Sequence, residues 1–108
     1  MSNSIKIILL AAVAAITVNT AHAEGPSFNC RYAKAPDEIL ICQDERLAAL
    51  DREMASTYWN FMNHGFYNNA REIRVAQRAW LKQRRACGYD YECISKLYDD
   101  RLSEISGN

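Results

Sequence analysis

Apolar positions recur at steps of three and four residues through most of the chain, and no stretch of useful length alternates apolar with polar. Such steps keep side chains on one face of an α-helix, so the pattern predicts helices and no sheet. The clearest stripe is Leu47, Leu50, Met54, Tyr58 and Phe61, with Asp44 placed to cap its start and Asn63-His64-Gly65 to stop it. Asn68-Asn69 supplies a restart. From Ala70 to Ala86, Ile73, Ala76, Gln77, Trp80, Leu81 and Arg84 share one side, while Arg71, Arg74, Arg78, Lys82 and Arg85 line much of the other. A last helix from Tyr91 to about Ile105 turns Ile94, Leu97, Tyr98, Leu102 and Ile105 inward. Ahead of these, the acidic-then-apolar run Asp37-Glu38-Ile39-Leu40-Ile41-Cys42 after Pro36 reads as a short helix. Glu24 to Lys34, with Gly25, Pro26 and Ser27, reads as an extended arm. Short connections between the long helices imply antiparallel neighbours, so the expected fold is all-α, a small bundle of three to four helices.

The segment from Met1 to Ala23 follows a different rule. One cation at Lys6, an apolar stretch from Ile7 to Val18 and the small-x-small triplet Ala21-His22-Ala23 have the build of a bacterial export signal cut before Glu24. Its apolar core of about a dozen residues is short of the roughly 20 that a spanning helix needs. The first cysteine, Cys30, lies well past the apparent cut, which excludes a lipid anchor there. The expected organisation is a signal peptide over 1–23 and one domain over 24–108, periplasmic or secreted, with no membrane span after cleavage. Hydrophobic residues at 49% and charged residues at 24% suit a folded domain. With Lys6 gone, 12 cations face 13 carboxylates, far from the basic excess of a phosphate-backbone binder, so nucleic acid is not an expected partner. Nothing in the composition sets an oligomeric state.

A domain this short buries little of its surface, and four cysteines are candidates to staple it. Cys30, Cys42, Cys87 and Cys93 are separated by spacers of 11, 44 and 5 residues, which is neither a zinc-site rhythm nor a Cys-x-x-Cys redox motif. Structural disulfides are the expectation, and four cysteines allow three connectivities. Within one continuous helix Cys87 and Cys93 would stand about 9 Å apart along the axis, beyond bonding reach. Gly88 as a helix terminator and Asp90 as an N-cap break the helix between them, so a bond there can pin a tight reversal. That pairing leaves Cys30 to tie the arm to Cys42.

Candidate chemistry is sparse. The chain after Ala23 has one histidine, His64, in the expected turn, so no nucleophile, base and orienting group can be assembled, and no enzyme, cofactor or metal site is expected. Asp99-Asp100 and Asp37-Glu38 suit capping or solvation better than paired acid catalysis. Arg84 falls with Trp80 on the inner side of its helix, which predicts a partly buried guanidinium held by Asp51 or Glu38 as a structural ion pair. Tyr58, Trp59, Phe61, Phe66 and Tyr67 crowd around one turn and cannot all face inward, so Trp59, Phe66 and Tyr67 are candidate partner contacts. Arg74 and Arg78 are further candidates for an anionic partner, although near neutrality makes a solvated face the plainer account of that stripe.

Ser27-Phe28-Asn29-Cys30, Glu38 through Ile41-Cys42, and Leu47-Ala48-Ala49-Leu50-Asp51 resemble the opening of the LprI-type lysozyme inhibitor N-terminal domain family. Gln77-Arg78-Ala79-Trp80-Leu81 with Arg84 and Cys87 is similar to that family's Gln-Arg-x-Trp-Leu-x-x-Arg-x-x-Cys signature, and Cys93, Tyr98 and Arg101 fall where its last helix carries similar residues. Asn29 and Glu45 depart from the family's usual Asp and Pro without touching the fold. The resemblance implies a protein partner, a lysozyme, blocked sterically by one end of the bundle. The near-neutral chain offers little long-range steering toward a basic enzyme, so modest salt dependence is expected. The alternative is an envelope adaptor that binds a protein or cell-wall partner through the cations of the third helix.

Overall fold

A computed structural model describes residues 24–64 and 70–106. The expected signal peptide over 1–23, with its cleavage site, and the candidate contacts Phe66 and Tyr67 lie outside the described residues. Among the described residues the chain forms a 3-10 turn at Cys30–Tyr32 and four α-helices, α1 (Pro36–Gln43), α2 (Glu45–His64), α3 (Ala70–Cys87) and α4 (Tyr91–Ile105), with no strand.

Local chemistry sets the boundaries. Pro36 opens α1, where its missing N–H costs nothing, and the Glu38 carboxylate folds back to accept from the backbone N–H groups of Lys34 at 3.2 Å and Ala35 at 3.4 Å. Asp44 is the joint between two helices. Its N–H closes α1 on the Leu40 carbonyl at 2.9 Å, and its side chain caps α2 by accepting from the Leu47 N–H at 2.9 Å. Gly88 adopts a φ of 64°, the left-handed conformation that ends α3, and Asp90 caps α4 through the Cys93 N–H at 3.2 Å.

Helix α4 packs against both α2 and α3, and α1 does the same from the other side, whereas α2 and α3 scarcely touch. The core therefore lies between α1, α2 and α4, with α3 laid along its edge. Ile41, Leu47, Leu50, Met54, Trp80, Ile94 and Tyr98 form it. Trp80 is the main anchor of α3: its ring stands edge-on to Tyr98 at 4.9 Å between centroids, and its Nε1 donates to the Leu97 carbonyl at 3.1 Å. Because no α2 wall faces it, α3 buries only Trp80 and Arg84. Leu81 and Ala76, expected on the inner side, are exposed, Leu81 by 41%. Tyr58 and Phe61, at the far end of the α2 stripe, are only partly covered for the same reason.

The disulfides join Cys30 to Cys42, with Cα atoms 5.9 Å apart, and Cys87 to Cys93, with Cα atoms 5.6 Å apart. The first ties the arm to the end of α1, and the second clamps the α3–α4 hairpin.

Candidate functional site

Arg84 reaches from α3 into the point where all four helices and the arm converge. Its Nε donates to Asp37 Oδ2 at 2.7 Å and its Nη1 to the Tyr98 hydroxyl at 3.1 Å, with Asp51 Oδ1 at 3.8 Å. The Tyr98 hydroxyl in turn donates to Asp51 Oδ1 at 2.7 Å. The arm completes the cluster, since the Ser27 N–H and Oγ both donate to Asp51 Oδ2, at 2.7 and 2.6 Å, and the Phe28 ring lies 5.8 Å from the guanidinium carbon. Arg52 holds the arm from outside by donating to the carbonyls of Glu24 and Gly25 at 2.6 and 3.0 Å.

One expected partner of Arg84 is replaced. Glu38 does not meet it; the buried carboxylate is that of Asp37, one residue earlier. Adjacent helical positions point about 100° apart. When Glu38 turns out to cap α1 and to pair with exposed Arg85 at 3.5 Å, Asp37 is turned into the core. Asp51 does border Arg84, as a second and longer contact.

Two buried carboxylates thus face one guanidinium, and Asp37 Oδ1 has no hydrogen-bond partner among the described residues. Burial works against the Arg84 charge but is outweighed by the Tyr98 oxygen and the Asp37 carboxylate, so the guanidinium is held above its ordinary value. Burial, followed by the negative charge of Asp51, pushes the Tyr98 hydroxyl well above its ordinary value of about 10, more than Arg84 pulls it down. An acid whose folded pKa lies above its unfolded one contributes stability in full below the unfolded value, and that contribution is lost as pH rises beyond it. Stability should accordingly fall above about pH 10, with the Tyr98 phenolate absorbance appearing only as helical signal disappears. A Tyr98→Phe variant should lack this coupled step in an absorbance and circular dichroism titration.

The cluster is largely buried: Asp37 is 0% exposed and Asp51 and Arg84 are nearly so. It ties the four helices and the arm together. No group of metal-ligating side chains occurs among the described residues, and His64 stands in the exposed last turn of α2 with its ring 5.8 Å from that of Trp59. The candidate contacts that the structure describes lie on the surface. Trp59 is 58% exposed on α2, whereas Arg74 and Arg78 are exposed on α3. These helices scarcely touch each other, and Trp59 stands on one element and Arg74 and Arg78 on another.

Two exposed aromatics escaped the sequence reading. Tyr32 follows the first crosslinked cysteine, and Tyr89 lies inside the Cys87–Cys93 loop with its hydroxyl donating to Gln43 Oε1. Their signal was their place within short crosslinked segments, which are too small to fold over a ring. A cleft of about 380 Å³ opens onto the cluster between the arm, α2 and α3, walled by Phe28, Met54, Tyr58, Trp80 and Leu81 with Asp51 and Arg84 in its lining.

These features define a small crosslinked helical domain with a buried polar network joining its helices and with aromatic and charged side chains on its outward face. Residues 30–105 match the family described as lysozyme inhibitor LprI, and the chain belongs to that family, one of inhibitors rather than catalysts. No curated protein and no solved structure matches the chain. Family and disulfides are both consistent with a place outside the cytoplasm, and no helix among the described residues is long and apolar enough to cross a membrane.

Proposed function

We propose that this protein is a periplasmic or secreted lysozyme inhibitor that acts by occluding the cleft of a muramidase, with no reaction of its own. The family match over residues 30–105 carries this reading. The architecture supports it: two crosslinks and a buried ion cluster give a stiff body, which lowers the ordering cost of binding. Charge supports a particular face. With the buried Arg84, Asp37 and Asp51 set aside, helix α3 carries Arg71, Arg74, Arg78, Lys82 and Arg85 against Glu72 alone, whereas the other described residues hold ten carboxylates against six cations. Near neutrality therefore conceals a strong polarity, and a basic lysozyme is attracted to the α2 and α4 side. Trp59, exposed on α2, is the aromatic anchor that such a contact would use.

The test is a turnover assay with purified mature protein against several lysozyme types. Inhibition at a modest molar excess is expected, and Trp59→Ala should weaken it roughly tenfold or more, the effect of losing a buried aromatic anchor. Absence of inhibition by the folded protein at large excess over every lysozyme tried removes the reading.

A further inference from the structure

Arg71, Arg74, Arg78, Lys82 and Arg85 are all exposed on α3. Their spacings of three, four, four and three residues place them within an arc of roughly 80° along about 21 Å of helix. Such a row is straight enough for all five side chains to reach one plane together. Arg85 meets Glu38, but Arg71, Arg74, Arg78 and Lys82 have no ion pair or hydrogen bond among the described residues. Three cations on the other long helices are paired within the molecule, Arg46 with Asp99, Arg52 with Glu24 and Lys96 with Asp100, whereas exposed Arg31 and Lys34 near the arm are not paired among the described residues. Two apolar side chains flank the row, Val75 at 48% exposure and Leu81 at 41%. The helical wheel puts one on each side of the cations. Leaving like charges side by side on one helix costs stability, and among the described residues only Arg85 of the row pairs with an opposite charge.

We propose that the outer face of α3 is a docking surface for an anionic phospholipid bilayer, on which the helix lies flat with its cations among the headgroup phosphates. Charge complementarity selects an anionic partner, and four of the five cations are arginines, whose planar fork suits phosphate oxygens. The flanking Val75 and Leu81 select a lipid surface over a soluble polyanion, because a bilayer offers their side chains an apolar layer just below the phosphates and a soluble chain does not. The apolar area is small, so binding is reversible and salt-sensitive rather than an anchor. In this orientation the carboxylate-rich remainder of the molecule faces away from the membrane. The inference does not depend on lysozyme inhibition, which is read by a separate assay.

Sedimentation of the folded mature protein with vesicles tests it. Binding is expected to vesicles containing phosphatidylglycerol, to be at least tenfold weaker with phosphatidylcholine alone, and to be released at about 0.5 M salt. Arg74→Glu with Arg78→Glu should reduce binding roughly tenfold or more, and Val75→Ser with Leu81→Ser should reduce it severalfold. All four residues are exposed, so circular dichroism should show the variants folded. No binding to anionic vesicles, or binding that survives the charge reversal, overturns the proposal. Binding that a soluble polyglutamate displaces at equal charge, with the Val75 and Leu81 changes silent, also overturns it by pointing to an acidic polymer instead.

Discussion

An Arg84→Met variant is expected to melt roughly 15 to 30 °C below the parent protein, as followed by circular dichroism, if it folds at all. The substitution keeps most of the side-chain volume and removes only the charge and its hydrogen bonds. Its effect is large because of what stays behind. Asp37 is wholly buried and Asp51 nearly so, and both depend on this guanidinium for neutralisation. Removing one partner of a buried pair costs about 3 to 5 kcal/mol, since the stranded carboxylate must be neutralised or rehydrated. Here the cluster already holds more carboxylate than guanidinium, with one Asp37 oxygen unpartnered, which leaves no reserve. Adding Asp37→Leu to Arg84→Met should restore part of the loss, because removing both members of a buried pair is far cheaper than removing one. An unchanged melting temperature for the single variant, or a double variant less stable than the single one, would contradict this account.

Reduction of both disulfides is expected to be comparably severe. The Cys30–Cys42 bond, at a sequence separation of 12, limits the unfolded chain by about 3 kcal/mol, and the Cys87–Cys93 bond, at a separation of 6, by a little over 2 kcal/mol. Their sum of about 5 kcal/mol is the size of the whole stability of a small domain. The protein treated with a strong reductant should therefore be largely unfolded at 37 °C, while the oxidised form stays helical. Helical signal unchanged after complete reduction, checked by thiol titration, would show that the core suffices alone. The two bonds should also differ in kind. Losing Cys30–Cys42 frees the arm and with it Ser27 and Phe28, whereas losing Cys87–Cys93 loosens a hairpin that Trp80 still holds to α4.

Much of the fold was legible in particular residues. The stripe from Leu47 to Met54 is buried where periodicity puts it, and Asp44, Gly88 and Asp90 cap or end helices as their chemistry dictates. The disulfide pairing followed from the helix break at Gly88, since only that break brings Cys87 and Cys93 within reach. What periodicity could not show was which helices face one another. Leu81 was read as inward because it neighbours Trp80 on the helical wheel, but inward has meaning only where a second helix waits, and α2 does not approach α3 there. Asp37 was hidden for a related reason. At a helix start an acidic pair reads as favourable to the macrodipole, and which member turns to the core depends on a guanidinium 47 residues away. Tyr98 likewise read as one more apolar position, although its hydroxyl links Arg84 to Asp51. The candidate contacts were the least legible, because a surface carries no periodicity of its own and is defined only against what it meets.

The arm has a consequence for how this domain withstands trimming. The family match covers residues 30–105, yet the charged centre is covered by Ser27 and Phe28, which precede them. Proteolysis that removed the chain as far as Cys30 would leave both crosslinks whole and all four helices in place. It would nonetheless strip two donors from Asp51 and lift the ring from Arg84, letting water reach the ions. Residues 24–29 thus guard the charged centre without contributing to either crosslink.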